Sequence, residues 1–427
     1  MQPPTDSRPA SMGTRDSLRG LLRNRDFGFY VGVRVATMLG QSIQAAAVMW
    51  QVYDLSGSPV ALAFVGIARF VPSLAISVLA GAIADTHDRR AVLALAQLSP
   101  LGTSAALWAL TATGHASVPV IYACMAILGV TVSFEAPARQ TLLPLVVPRE
   151  SFQRAVAMAT TVQQVASIFG PAGAGLAIAQ SGVAPAYLMH VGLVLGGLVC
   201  IACIRIREAD AVSGRLDLGM MKEGIHFIWS NRPVLGAMAL DMFAVIFAGA
   251  DALLPIYARD VLGVGAFGYG LLTSSKAVGA LITAVGLSLS PPVRATGRTL
   301  MLMVTIYGAA TIAFGLSTWF PLSLILYGLT AAADQVSVVM RQTIIQLDTP
   351  NALRGRVSAV NQVFVGASNQ LGATESGLVA AWANSAVFAV VSGGVGCLAT
   401  VALILVLIPS LWRHTLQPRV ESPVPVA

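Results

Sequence analysis

The chain has 427 residues, 56% of them hydrophobic and only 11% charged, with a net charge of +7 and a mean hydropathy of +0.75. A soluble protein carries roughly 25% charged residues. So small a charged fraction cannot cover a core this large, which excludes a soluble globular reading. The positive balance is no nucleic-acid footprint either, because the basic residues lie in short clusters between apolar runs and fit orientation in a bilayer better.

Residues 1–26 are polar and arginine-rich, and they read as a cytoplasmic tail rather than a cleaved leader. Apolar runs long enough to cross a bilayer, about 20 residues each, follow at 27–53, 60–84, 91–112, 118–138, 153–180 and 185–205. A second set lies at 233–257, 266–289, 299–317, 320–340, 356–382 and 386–410. The expectation is an all-α integral membrane protein of twelve transmembrane helices. It divides into a six-helix bundle over 27–205, a cytoplasmic linker over 206–232, a second six-helix bundle over 233–410 and a cytoplasmic tail over 411–427. An amphipathic interfacial helix is expected near 219–230.

The count has an independent check, because basic residues favour the cytoplasmic loops. With both termini inside, 22 of the 26 Lys and Arg fall in the tails and presumed inner loops. Arg34, Arg69 and Lys276 lie within spans, and Arg259 alone lies in a presumed outer loop. The four cysteines sit in apolar runs. Cys200 and Cys203 have CxxC spacing but no second pair, and they read as packing residues rather than a metal or redox site.

The two sets of six resemble each other. "RQTLLPLVVPRESFQRA" at 139–155 returns as "RQTIIQLDTPNALRGRV" at 341–357, bringing Arg139 onto Arg341 at an offset of 202. At an offset of 207, Asn24-Arg25 meets Asn231-Arg232 and Arg69 meets Lys276. Both copies follow the fourth span of their half with the same polarity, which is a parallel repeat.

Between spans two and three stands "GAIADTHDRRAVL", residues 81–93. Gly81 lets helices approach closely, Asp85 leaves the membrane one turn later, and Arg89 and Arg90 anchor the next helix at the anionic leaflet. This G-x-x-x-D-x-x-x-R-R pattern resembles the signature of the major facilitator superfamily, with Asp88 where that signature has glycine. "EAPARQTLLPLVVPRE", "GPAGAGLAIA" and "TPNALRGRVSAVNQ" resemble the branch containing the enterobactin exporter and related drug:proton antiporters. The resemblance implies a cytoplasmic gate in which Asp85 meets the start of span eleven near Arg354 and Arg356, with Arg139 nearby. It also marks Gly170, Pro171, Gly173 and Gly175 in span five as a kinked, closely packed exporter motif.

Ionisable groups within spans are costly and face a partner or a wet cavity. Arg34 and Gln44 correspond at offset 207 to Asp241 and Asp251, and Arg34 is expected to approach Asp241 in at least one state. Asp334 is a further acid, whereas Glu135 and Glu375 could equally be interfacial. Gln41 stands where some relatives carry an acid. The expected pathway residues are therefore Arg34, Gln41, Gln44, Asp241, Asp251 and Asp334, and Asp251 is the first choice as proton carrier. Asp251 could instead serve only the backbone near Pro255. No G-x-x-x-x-G-K-[ST] loop occurs and the five histidines are scattered, so neither ATP drive nor an enzyme is expected. The leading expectation is a monomeric secondary transporter in the cytoplasmic (inner) membrane, needing no metal or other cofactor. It would export a siderophore or drug-like molecule in exchange for protons. Uptake of a metabolite is the rival, and an integral-membrane enzyme or receptor-like scaffold a more distant one.

Overall fold

A computed structural model describes residues 24–86, 89–147, 151–204, 218–291 and 293–415, with the side chains of 77–86, 89–92, 136–142, 144–145 and 218–222 outside the description. The first half comprises α1 (Arg25–Ser56), α2 (Pro59–Thr86), α3 (Arg89–Ala112), α4 (Val118–Val146), α5 (Phe152–Ser181) and α6 (Ala184–Cys203). The amphipathic linker helix α7 (Leu218–Ser230) leads into the second half: α8 (Arg232–Ala248), α9 (Gly265–Leu289), α10 (Thr296–Leu316), α11 (Phe320–Asp348), α12 (Arg354–Trp382) and α13 (Ala386–Leu407). The two halves begin alike. Asn24 caps α1 by accepting from the amides of Asp26 and Phe27, and Asn231, its mate in the repeat, caps α8 by accepting from Val234.

Among the described residues, ten helical segments are long and apolar enough by composition to cross a membrane. The two that fall short, α1 and α12, are equally long but more polar. In α1 the polar residues are internal. Gln97 donates to Thr37 at 3.3 Å, Gln44 to Ser104 at 2.7 Å and Gln51 to Thr111 at 2.8 Å. Each rung joins α1 to α3 across 60 positions, and the rungs recur every seven residues. A heptad keeps side chains on one face of a helix, so the repeat sets the register of these two helices. Tyr187 and His190 of α6 close the upper rungs, at 2.6 Å to Gln51 and 2.6 Å to Ser104.

α4 and α11 extend about two turns past the expected span ends at 138 and 340. Arg139 and Arg341 marked those ends in the sequence. The structure places Arg341 inside the helix and buried, because Asp241 of α8 compensates its charge there.

At the end remote from the chain termini the halves share one apolar core, in which Ile43, Val52 and Tyr187 of the first half join Leu253, Tyr257 and Phe314 of the second. At the terminal end, among the described residues, each half keeps a core of its own, around Phe27 and Leu93 in one and Leu240 and Ile344 in the other. Among the described residues, then, the halves share a core at one end and keep separate cores at the other.

Candidate functional site

The seam between the halves encloses a cavity of about 870 Å³, walled by α1, α2, α4 and α5 on one side and by the stretch after α8 together with α9, α11 and α12 on the other. Its polarity comes from a few side chains set in an apolar wall. Arg69 projects from α2, while Lys276 of α9, Asp251 from the stretch after α8, and Asp334 of α11 face it from the second half. Arg69 and Lys276 are mates in the repeat, so the duplication sets one cation on each side of the seam.

Asp251 owes its position to a break in α8. The helix ends at Ala248, and a tight 3-10 turn (Asp251–Leu253), a short helical turn and a wide π turn (Tyr257–Val261) carry the chain onward. Carbonyls freed inside a membrane protein need new donors. Tyr307 donates to Ala248 at 3.1 Å and Ser376 to Gly249 at 2.8 Å. Donors therefore satisfy the break, and Asp251, which only accepts when ionised, is left for other partners. Lys276 lies 2.5 Å from one of its oxygens and Tyr327 donates to the other. The side chains of Lys276 and Asp251 remain 40% and 57% accessible, open to the cavity.

The remaining expected pathway residues lie off this wall. Gln44 is buried in the α1–α3–α6 ladder. Gln41 donates to Glu135 at 3.3 Å, and the buried Glu135 acts electrostatically on Arg69. Asp241 is paired with Arg341 within the second half, both nearly sealed from solvent at 8% and 3% side-chain exposure. The cation that meets Asp241 in this state is thus Arg341 rather than the expected Arg34, which donates to the Ala159 carbonyl at 3.2 Å.

Span five runs unbroken through Pro171, and its small residues serve a crossing between the halves. A Cβ on Gly175 would stand 2.6 Å from the Ala266 carbonyl oxygen, and one on Gly270 2.5 Å from that of Pro171. Side chains there would hold α5 and α9 apart. Gly170 instead packs closely on Ser42 of α1 within the first half, whereas Gly173 faces open space. Ser274 adds a hydrogen bond across the crossing, to Ile168 at 2.6 Å.

Beyond the cavity, the remote end is closed by polar contacts between α1 and the π turn. Arg259 meets Asp54 at 2.8 Å, Tyr53 donates to Asp260, and Arg259 sits over the Tyr53 ring at 5.9 Å. At the terminal end Arg356, expected beside Asp85, is held by Glu223 of α7, and Arg354 opens α12. The side chains of Gly81, Asp85, Arg89, Arg90 and Arg139 lie outside the described residues, as does Asp88 entirely. Sequence reasoning missed Tyr327, Arg341 as a buried partner, and the Tyr53–Asp54 closure. Arg341 carried a signal in its alignment with Arg139; Tyr327 carried none, being one tyrosine in an apolar run.

Comparisons with known proteins agree with this architecture. Residues 21–426 match the family described as a transmembrane secretion effector. The chain is 27% identical to the multidrug efflux pump Tap of Mycolicibacterium fortuitum, over 80% of this chain and 86% of that one. It is 34% identical to a staphyloferrin A transporter of Staphylococcus aureus over 33% of this chain and 36% of that one. Among solved structures, a bacterial homologue of the lysosomal transporter Spinster, described as inward-facing and unoccupied, superposes with a TM-score of 0.70 at 12% identity, covering 93% of this chain and 99% of that one. A peptide transporter of the POT family gives 0.71 at 11% identity, covering 91% and 95%. The fold and family are those of major facilitator transporters.

Proposed function

We propose that this chain, which belongs to the transmembrane secretion effector family, exports a small organic molecule of siderophore or drug type across the cytoplasmic membrane in exchange for protons. The observation that carries the reading is the cavity at the seam, large enough for such a molecule and lined by ionic groups from both halves. Its closure at one end by Asp54–Arg259 and Tyr53–Asp260 suits alternating access, in which the halves rock about a shared site. Efflux proteins among the relatives support the outward direction. The basic bias of the tails and inner loops supports cytoplasmic termini. The protein works as a monomer whose partners are substrate, protons and lipid.

Asp251 is the leading proton carrier and Asp334 the second. A proton on Asp251 cancels the charge that holds Lys276 and frees the Tyr327 hydroxyl, so one event loosens α8, α9 and α11 together. At the terminal end Asp85 meets Arg354 and Arg356 when that side closes, and its loss of those partners accompanies opening.

Everted membrane vesicles given an inward-acid gradient test the reading. Accumulation of an exported dye or siderophore, collapsed by a protonophore, is expected. Accumulation only in right-side-out vesicles establishes uptake instead.

A further inference from the structure

We infer that the substrate is a dipolar amphiphile, with its cationic nitrogen group at Asp334 and its anionic or acceptor group at Arg69. This deepens the transport reading and rests on it.

Among the described residues, four ionic side chains line the cavity, and two of them satisfy each other. Asp251 is taken up by Lys276 and Tyr327. Asp334 and Arg69 make no hydrogen bond or close ion pair among the described residues. Lys276 and Asp251 act on Asp334 only through space, as Glu135 does on Arg69. A charge left uncompensated at membrane depth is costly and faces the groups that will meet it in function. Asp334 stands on α11 and Arg69 on α2. A ligand that compensates both must bridge the seam between the halves.

The two contacts are unequal. The second-half wall carries two carboxylates, Asp251 and Asp334, against one cation, Lys276, which leaves one negative charge there. On the first half Arg69 has Glu135 behind it, held in place by Gln41. The surplus is therefore negative, making the cationic group the dominant determinant and the acceptor group a secondary one. Between them the wall is apolar and aromatic, with Leu62, Val65, Phe70, Met125, Leu254 and Tyr269 available to the ligand body. Methionine and aromatic walls accept varied shapes.

Three dyes on one xanthene skeleton separate the terms: rhodamine 6G as a cation, rhodamine B as a zwitterion and fluorescein as an anion. Their binding to the protein in nanodiscs is read by fluorescence polarisation. The wild type should bind both rhodamines about tenfold or more tighter than fluorescein, with rhodamine B ahead. Asp334→Asn should lose about tenfold for both rhodamines and nothing for fluorescein. Arg69→Gln should remove only the advantage of rhodamine B over rhodamine 6G. Asp334→Lys should invert the order in favour of fluorescein, a gain that misfolding cannot produce; thermal melting in detergent checks each variant. Tightest binding of fluorescein by the wild type, or an unchanged order in Asp334→Asn, overturns the inference and leaves export standing. Binding of none of the dyes also overturns it, and the vesicle experiment decides separately whether export falls too.

Discussion

Lys276 of α9 sets its ammonium 2.5 Å from the Asp251 carboxylate, on the interrupted stretch after α8, while Tyr327 of α11 donates to the other carboxylate oxygen. Two helices of one half thus converge on a single acid, carried by the turn after α8, that also faces the cavity. Coupling to protons requires an acid that is ionised in one state and neutral in another. Asp251→Asn is expected to abolish uphill, proton-dependent efflux while substrate binding stays within about threefold and downhill exchange persists. Measuring the three side by side in proteoliposomes checks this, because an acid that serves only packing would lose them together.

The buried pair Asp241–Arg341 makes a different claim. Removing one member of a buried pair strands the other charge, at a general cost of about 3–5 kcal/mol, whereas replacing both by apolar residues of similar volume is often neutral. Asp241→Leu and Arg341→Met should each lower the thermal midpoint strongly, and the double variant should recover most of the loss. Transport by the recovered double variant is expected at more than about half the wild-type rate, since neither residue lines the cavity. A double variant as unstable as the singles would mean that the pair itself, and not merely the avoidance of a stranded charge, holds α8 to α11.

These two acids show what the sequence could reveal and what it could not. Twelve helices were legible because apolar length and the basic bias of loops are one-dimensional signals, and the repeat was legible because Asn24 and Asn231 do the same capping work. Partner choice was not legible. Asp241 and Arg34 fall at matched positions in the repeat, but side chains at equal depth need not face each other, and Asp241 turned inward to α11 instead. The ladder through Thr37, Gln44 and Gln51 was written in the sequence as a heptad of polar residues, facing another at Gln97, Ser104 and Thr111. Reading Gln44 as a pathway residue overlooked that spacing. The break in α8 was foreshadowed by Pro255, yet its position at Gly249 depends on Tyr307 and Ser376, which come from distant helices.

The ladder yields its own test. Hydrogen bonds between transmembrane helices contribute about 0.6 kcal/mol on average and rarely reach 2 kcal/mol. Gln44→Leu should therefore lower the thermal midpoint by a few degrees at most and leave substrate affinity within about twofold. A tenfold loss of affinity with unchanged stability would return Gln44 to the transport pathway.

Arg356 has a partner in this state that the proposed clamp would take away. Glu223 of the linker helix holds it while, among the described residues, the halves keep separate cores at the terminal end, and the proposed clamp has it beside Asp85 when that side closes. Glu223→Gln should favour the closed terminal side, and Asp85→Asn should disfavour it and cut transport at normal expression. Distances between spin labels on α7 and α3, recorded for both variants, should shift in opposite directions. Shifts of the same sign would show that the two acids do not compete for Arg356.

In the proposed export cycle the remote end opens for release, and its polar contacts name the place. Tyr53 and Asp260, which are joined here, are separated by 207 positions, the offset of the repeat, so the contact lies near the axis that relates the two halves. Beside it Arg259 and Asp54 are about half exposed, and a pair so exposed contributes only about 0.2–1 kcal/mol. Closure that weak is easily reversed, as a transporter cycling between two states requires. Asp54→Asn should therefore shift the population by no more than about fivefold and leave transport measurable. Tethering is expected to do far more. In a background with Cys124, Cys200, Cys203 and Cys397 replaced by alanine, Asp54→Cys with Arg259→Cys, joined by a short bis-maleimide, should stop exchange and export alike. The same pair joined by a linker long enough to span the opened seam should restore at least half the rate. Full transport under the short tether would place the exit elsewhere in the seam.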